Sequence, residues 1–236
     1  MVYITGDIHG APHRIVNFAK DIRISRNDTL IILGDVGANY YLNEVDSECK
    51  HLLNSLKCTV FCIHGNHECR PEHIPSYRLI EWNGGKVWIE DAFPNLLFAK
   101  DGEIFRIEGQ NYLVIGGAYS IDASWRIRRH AGWWADEQPS VSVKAFVEHQ
   151  IAENRIDIVL SHTCPRKYEP VEVFLPNVNQ AGVDKSTEDW LDTVENSLHY
   201  KAWYCGHWHT DKRIDRMHFL FTSWETVEKE IYNGTN

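Results

Sequence analysis

The segment VYITGDIHG, residues 2–10, decides the fold of this 236-residue chain. Its apolar first half predicts a buried strand over residues 2–6, and a loop with an aspartate and a histidine follows at once. The same pattern, an apolar strand that ends in a polar loop, returns at residues 29–35 and 59–68. Predicted helices over residues 13–24 and 46–56 separate these strands. This β-α-β-α-β order predicts parallel neighbouring strands joined by right-handed crossovers.

The middle of the chain has a different character, because short apolar runs alternate there with turn-rich segments. We predict antiparallel strands in this region, at residues 86–89, 96–99, 103–107 and 112–115. The remaining predicted elements are helices at residues 143–154 and 187–199, strands at 157–160 and 202–205, and a closing hairpin of 214–215 with 218–221. Together the elements predict a mixed sheet, or two packed sheets, with helices outside. Without a repeat or a long linker, residues 1–236 are expected to form a single domain.

Composition narrows the classes of partner. Hydrophobic residues make up 43% of the chain and charged residues 24%, which is typical of a folded globular protein. The net charge of −9 disfavours a broad surface for long nucleic acid, because such binding needs many contacts between basic side chains and phosphates. The sequence shows neither a signal-like start nor the roughly 18 apolar residues of a membrane helix, so we expect no membrane contact and a cytoplasmic location. The six cysteines lack paired CxxC spacing, which predicts reduced, packed thiols.

Side chains that bind metals follow five of the predicted core strands. These residues are Asp7, His9, Asp35, Asn66, His162, His207 and His209. Since ligands of open α/β sheets bind beyond the carboxyl ends of the strands, the five loops are expected to converge on one point. Carboxylate, imidazole and amide donors together suit divalent ions such as Mn²⁺, Fe²⁺ or Zn²⁺. The Asp-x-His and His-x-His spacings place alternate side chains on one side of an extended segment, so each pair can chelate an ion.

In their order along the chain these motifs resemble those of the calcineurin-like metallophosphoesterase superfamily. The matching segments are GDIHG at residues 6–10, GD at 34–35, GNHE at 65–68, SH at 161–162 and GHWH at 206–209. The resemblance implies an α/β fold, an αββα sandwich of two mixed sheets flanked by helices. It also implies a binuclear centre with two divalent ions, Mn²⁺ in the first place and Fe or Zn as alternatives.

The resemblance further implies a role for each residue. The implied ligands of the first ion are Asp7, His9 and His209, those of the second are Asn66, His162 and His207, and Asp35 bridges both. His67 would stand outside this cage as the proton donor. Two ions about 3.5–4 Å apart lower the pKa of a shared water, hold the phosphoryl oxygens and align an in-line attack. A bridging hydroxide is then the nucleophile, and His67 protonates the leaving group as a general acid.

These features predict a hydrolase for a phosphomonoester or a small phosphodiester. A nuclease or a nucleotide pyrophosphatase is the alternative among enzymes, and the expected partner is a small phosphorylated substrate or a nucleotide. A different class is a non-catalytic scaffold of the same fold, similar to the retromer subunit. The presence of His67 and of all seven ligands disfavours the scaffold.

The chain departs from the Ser/Thr protein phosphatase branch at two places. GDVGANY at residues 34–40 stands where that branch has GDxVDRG, and His64 stands where an arginine precedes GNHE. Both phosphate-binding arginines of that branch are therefore missing, which argues against a typical protein phosphatase. A guanidinium group elsewhere could bind phosphate oxygens in a bidentate way. The candidate replacements are Arg70, Arg126, Arg128 and His64. The equally weighted alternative is that the arginines pair with surface carboxylates or with Asp122.

Overall fold

Two β-sheets build the computed structural model, which describes residues 1–227. The strands are β1 (Val2–Thr5), β2 (Thr29–Ile32), β3 (Thr59–Cys62), β4 (Tyr77–Trp82), β5 (Gly85–Glu90), β6 (Leu96–Ala99), β7 (Ile104–Ile107), β8 (Gln110–Ile115), β9 (Ile158–Ser161), β10 (Ala202–Cys205), β11 (Lys212–Ile214), β12 (Met217–Phe219) and β13 (Trp224–Val227). The helices are α1 (Pro12–Asp21), α2 (Glu44–Asn54), α3 (Ala123–Arg129), α4 (Val141–Glu153) and α5 (Ser186–Ser197).

Both sheets are mixed. The first has the strand order β13-β1-β2-β3-β6-β5-β4, and the second has the order β11-β12-β10-β9-β8-β7. The central strands of each sheet run parallel: β1, β2, β3 and β6 in the first, and β12, β10, β9 and β8 in the second. Antiparallel strands complete the edges. The carboxyl ends of the parallel strands of one sheet therefore lie along one edge.

The two faces of the first sheet pack against different layers. Successive side chains of a strand point to opposite faces, so neighbours in β2 enter different cores. Ile31 packs between the two sheets, in one cluster with Leu160 of β9. Leu30 packs on the outer face, in one cluster with Ile15 of α1 and Leu53 of α2. Because both faces are covered, the strand is apolar throughout rather than alternating.

The second sheet is covered in the same way by α4 and α5. Val159 on its outer face belongs to one apolar cluster with Val147 of α4 and Leu191 of α5. The layers are thus helices, sheet, sheet and helices. This arrangement confirms the predicted αββα sandwich of two mixed sheets flanked by helices. The expectation that residues 1–236 form one domain stays a prediction, since the structure describes residues 1–227.

The sequence prediction was wrong in several places. It missed β4, α3 and β13. The antiparallel strands expected in the middle of the chain are confirmed by the pairs β5–β6 and β7–β8. The prediction did not include the parallel pairing of β6 with β3 and of β8 with β9. The closing hairpin forms from β11 and β12, slightly before the predicted positions. β4 escaped detection because it is a mostly exposed edge strand with polar residues such as Arg78 and Glu81.

All six cysteines are free and buried, as the sequence predicted. Within residues 1–227, no helix has both the length and the apolar character that crossing a membrane requires.

Candidate metal centre

The seven predicted ligands follow the carboxyl ends of five parallel strands. Asp7 and His9 come after β1, Asp35 after β2, and Asn66 after β3. The other three follow strands of the second sheet, at His162 after β9 and at His207 and His209 after β10. The structure brings all seven side chains together at the edge where the two sheets meet, in two adjoining groups.

The first group consists of Asp7, His9 and His209. The Nε2 atoms of the two histidines lie 2.9 Å apart, and His209 Nε2 lies 3.3 Å from Asp7 Oδ2. His9 Nε2 lies 3.7 Å from the same carboxylate oxygen. Burial by itself raises the pKa of Asp7, but its contacts with His209 and His9 hold that pKa well below its usual range. Asp7 is therefore an anionic donor beside two imidazole nitrogens, which is a suitable donor set for a divalent cation.

The second group consists of Asn66, His162 and His207. Asn66 Oδ1 lies 2.8 Å from His162 Nε2 and 3.1 Å from His207 Nδ1. His162 Nδ1 lies 2.7 Å from the carbonyl oxygen of Leu33, so in a neutral imidazole the proton belongs on Nδ1. The lone pair of His162 Nε2 then faces the lone pairs of Asn66 Oδ1. A cation between such acceptors relieves their repulsion, so these residues fit a metal ion.

Asp35 lies between the two groups and is almost fully buried. Its Oδ2 atom lies 3.8 Å from His9 Nε2, and its Oδ1 atom lies 3.6 Å from His162 Nε2. The backbone N–H of His67 donates a hydrogen bond of 2.7 Å to Oδ1 and orients the carboxylate. Each oxygen of Asp35 thus faces a different group of candidate ligands.

Four of the seven residues hold backbone conformations that are rare for side-chain-bearing residues. The φ angles are 44° at His9, 45° at Asp35, 63° at His207 and 48° at His209. Such left-handed conformations cost of order 1–3 kcal/mol each and cluster at functional sites. The surrounding packing therefore holds these four side chains in place at the expense of stability.

Glycines allow the ligand loops to approach one another closely. A Cβ atom at Gly65 would overlap the carboxylate and the backbone nitrogen of Asp35, and one at Gly206 would overlap the carboxylate of Asp7. Glycine is therefore required before Asn66 and before His207 because a candidate ligand from a neighbouring loop packs against the backbone there. Backbone conformation alone is not the reason.

His67 lies at the rim of the two groups. Its ring centroid is 5.6 Å from that of His9, and its Nε2 atom is 3.9 Å from Asp122 Oδ1. The side chain is 30% exposed and borders an open cavity of about 420 Å³. Burial lowers the pKa of His67, although the nearby Asp35 opposes this effect. His67 is therefore close to the candidate ligands and accessible to a bound molecule.

A polar network that the sequence did not reveal surrounds Asn66. Its Nδ2 atom donates a hydrogen bond of 2.7 Å to Ser120 Oγ, and Arg126 donates to the same hydroxyl. The backbone N–H of Ser120 in turn donates to Glu137 Oε1 at 3.0 Å. Ser120 lies in a glycine-rich segment after β8, but that segment gave no sign that a serine would contact a candidate ligand.

The four predicted phosphate-binding residues are placed differently from the ligands. Arg70 Nη1 lies 2.5 Å from Asp101 Oδ2, and Arg126 Nε lies 3.0 Å from Asp122 Oδ1. Both arginines are buried and paired with carboxylates. Arg126 pairs with Asp122, as the alternative interpretation has it, whereas Asp101, the partner of Arg70, is buried rather than on the surface. The other two residues are Arg128, which is exposed, and His64, which is buried.

Among the residues that the structure describes, none of these four lines the cavity beside His67. Arg70 instead borders a separate cavity of about 340 Å³. A contact of the four residues with substrate stays a prediction.

Comparison with known proteins decides the family. The sequence pattern of the calcineurin-like phosphoesterases matches residues 1–211, which include all seven candidate ligands. The chain belongs to the calcineurin-like phosphoesterase family. Membership supports metal-dependent hydrolysis of phosphoesters in general, in agreement with the groups of candidate metal ligands.

Two solved structures are similar to this calcineurin-like phosphoesterase. One is the phosphopantetheinyl hydrolase from Mycobacterium tuberculosis, with 13% identity and a TM-score of 0.50, where the alignment covers 93% of this chain and 87% of that chain. Another is the protein TT1561 from Thermus thermophilus, with 12% identity and a TM-score of 0.49, covering 87% of this chain and 80% of that chain. At this identity the phosphopantetheinyl hydrolase shows the fold alone. No curated protein sequence matches this chain.

Proposed function

We propose that this family member is a two-metal hydrolase of a phosphomonoester or a small phosphodiester. The position of Asp35 carries the proposal, because its two oxygens face two different groups of candidate ligands, at 3.8 Å from His9 and 3.6 Å from His162. A carboxylate in this position can hold two cations at a fixed separation. The cation-compatible donors on each side support the same conclusion: Asp7 with the exposed His9 and His209 on one side, and the buried Asn66 and His162 on the other.

Each group of residues has a defined task in this proposal. Asp7, His9 and His209 would hold one ion, the group of Asn66 would hold the other, and Asp35 would contact both. When bound, two divalent ions supply an activated water as the nucleophile and neutralise charge on the phosphoryl group. We propose Mn²⁺ as the ion, with Fe or Zn as alternatives, because the donor set of carboxylate, imidazole and amide oxygen suits all three.

His67 would act as the general acid that donates a proton to the leaving alkoxide. Its ring borders the cavity, and its backbone N–H binds Asp35, which keeps the backbone of His67 next to a candidate ligand. Asp122, at 3.9 Å from Nε2, can orient the imidazole. A positioned histidine of this kind typically contributes about 10²–10⁴ in rate.

The alternative is a nuclease or a nucleotide pyrophosphatase, for which the partner would be a nucleotide rather than another small phosphorylated molecule. The net charge of −9 disfavours long polynucleotides but does not oppose binding of a mononucleotide. A non-catalytic scaffold is the third interpretation, and the complete set of ligands with His67 disfavours it.

The test begins with metal analysis of the purified protein. The Mn²⁺-loaded protein is then assayed on p-nitrophenyl phosphate, bis-p-nitrophenyl phosphate and a dinucleoside polyphosphate. We expect hydrolysis of at least one of the first two, and loss of both activity and metal in Asp35→Asn. Asp91→Asn, at an exposed aspartate that pairs with Arg78, serves as the control and should behave like the parent. Preference for the polyphosphate would favour the nucleotide alternative, and absence of any hydrolysis would favour the scaffold.

A further inference from the structure

The lining of the cavity beside the candidate ligands combines two kinds of side chain. One part belongs to the proposed reaction centre, with Asp35, Asn66 and His67 among its residues. Another part, called the apolar wall below, consists of Ile121, Val173, Phe174, Leu175, Val183 and Trp208, with polar residues such as Lys185 and Glu188 beside it. A volume of about 420 Å³ is typical of a pocket for a small organic ligand and exceeds what a lone phosphate needs.

Most of the apolar wall comes from the irregular segment between β9 and α5. Phe174 follows a short 3₁₀ helix, Val171–Val173, and Leu175 beside it is 57% exposed. Ile121, on the loop after β8, is 49% exposed. Exposed aliphatic side chains grouped at the mouth of a polar site are costly to hydrate, so their presence indicates contact with an apolar part of a ligand.

Phe174 and Trp208 form one continuous aromatic surface. Their ring centroids are 5.6 Å apart and the rings are nearly parallel, at 25°. Lys185 Nζ lies 4.6 Å from the Phe174 centroid, while its charge is paired with Glu169 at 2.8 Å. A ring inserted between two aromatic planes needs a gap of about 7 Å, twice the carbon–carbon contact distance. A ligand ring therefore cannot enter between Phe174 and Trp208. It packs instead on the face of one ring that points away from the other ring.

Two polar atoms in the same wall lack partners in the part of the chain that the structure describes. Trp208 Nε1 and Glu188 Oε2 are buried without a hydrogen bond. Glu188 is only 3% exposed, and its other oxygen accepts a hydrogen bond of 2.8 Å from Thr163 Oγ1. Buried polar atoms without partners are unusual and indicate a missing ligand or water. Both residues line the cavity, although these two atoms themselves have almost no exposed surface there.

We infer that this wall binds the alcohol portion of the substrate, and that the substrate class is phosphoesters of an apolar alcohol that carries a ring or a branched chain. The inference rests on the proposed function, because the phosphate would bind at the proposed metal ligands in the other part of the cavity lining. Contact of an apolar surface with a phosphate dianion gives no favourable free energy of binding, whereas burial of a hydrocarbon against that surface is favourable.

The test compares two esters with the same kind of leaving oxygen, 2-phenylethyl phosphate and ethyl phosphate, on the Mn²⁺-loaded protein. We expect kcat/KM to be about 10-fold or more higher for the phenylethyl ester, because several apolar carbons are buried only in that complex. Phe174→Ala should remove most of this preference, so that the ratio of kcat/KM between the two esters falls towards 1. Val171→Ala is the matched control, since Val171 belongs to the same segment, is 67% exposed and does not line the cavity.

A second measurement does not depend on metal or on turnover. Calorimetric titration of the metal-free protein with 1-naphthol should show saturable binding that Phe174→Ala weakens about 10-fold and Val171→Ala does not. Equal kcat/KM for the two esters, together with no binding of 1-naphthol, would overturn the inference while leaving the proposed function intact. If neither ester is hydrolysed but bis-p-nitrophenyl phosphate is, the proposed function stands as a diesterase, and the titration decides whether the wall binds apolar rings. If no phosphoester is hydrolysed, the proposed function fails, and the titration still decides whether the wall binds apolar rings.

Discussion

The side-chain amide of Asn66 donates a hydrogen bond of 2.7 Å to the hydroxyl of Ser120. An asparagine amide has one oxygen and one NH₂ group, so this contact fixes which of them faces the candidate centre. With the nitrogen held by Ser120, the oxygen faces His162 and His207. Arg126 donates to the same hydroxyl and keeps Ser120 in place. Ser120 is therefore a positioning residue for a proposed metal ligand.

Ser120→Ala should reduce the affinity for Mn²⁺ about 10–100-fold, the usual effect of losing a partner that orients a ligand. Activity should fall when Mn²⁺ is limiting and recover largely at saturating Mn²⁺. Calorimetric titration and a metal-dependence curve measure the two effects. Ser197→Ala, at an exposed serine in α5, is the control and should bind Mn²⁺ like the parent. Unchanged affinity in Ser120→Ala would show that the amide keeps its orientation without this contact.

His67→Ala should lower kcat by about 10²–10⁴ for esters with poor leaving groups, because those need a proton most. The metal content should remain near that of the parent, since the backbone N–H that binds Asp35 is retained. Rates on a series of phosphate esters with leaving groups of graded basicity measure the effect. His149→Ala, at an exposed position of α4, is the control. Equal losses across the series would mean that His67 is not the acid.

The strained backbone at Asp35 predicts an unusual order of stability. With φ at 45°, Asp35→Gly should be more stable than Asp35→Ala by about 1 kcal/mol in the metal-free protein, since glycine lacks the steric cost of the left-handed region. Asp7, which is not among the residues with positive φ, provides the comparison. There the alanine variant should be at least as stable as the glycine variant. Urea unfolding of the four proteins measures both differences, and identical differences at the two positions would contradict the strain argument.

The cysteines should resist alkylation in the folded protein. Burial raises the pKa of Cys58 to about 12 and that of Cys69 to about 11, so the reactive thiolate is scarce at pH 8. Mass spectrometry after treatment with iodoacetamide should find fewer than about one modified thiol per folded chain, and all six after unfolding in urea. Rapid modification of several thiols in the folded state would indicate that these cysteines are far less enclosed than the structure places them.

The resemblance of the motifs to those of the metallophosphoesterases predicted the fold class, whereas the residue pattern alone left open one mixed sheet or two packed sheets. The pattern was sufficient to name the residues that converge, for one physical reason. Parallel strands end at a shared edge, so polar residues directly after apolar strands must lie near one another. The same reasoning could not find β4, whose exposed polar residues hide the strand pattern.

The surroundings of the candidate centre depend on contacts that local patterns do not encode. The sequence around Arg126 does not distinguish it from a solvated arginine. In the structure its guanidinium is buried against Asp122 and Ser120. Phe174 lies in a segment without periodicity, so its stacking on Trp208 could not be anticipated. Such contacts follow from tertiary packing, which composition and spacing do not reveal.

The meeting of His9 with His209 joins side chains that are 200 positions apart. The ribosome synthesises the chain from its amino end. Asp7 and His9 therefore emerge long before His209, the residue that completes their group. A cation cannot guide the early stages of folding at this position, because its full set of donors does not yet exist. The proposed ion would therefore be acquired late in biosynthesis, after His209 has joined Asp7 and His9.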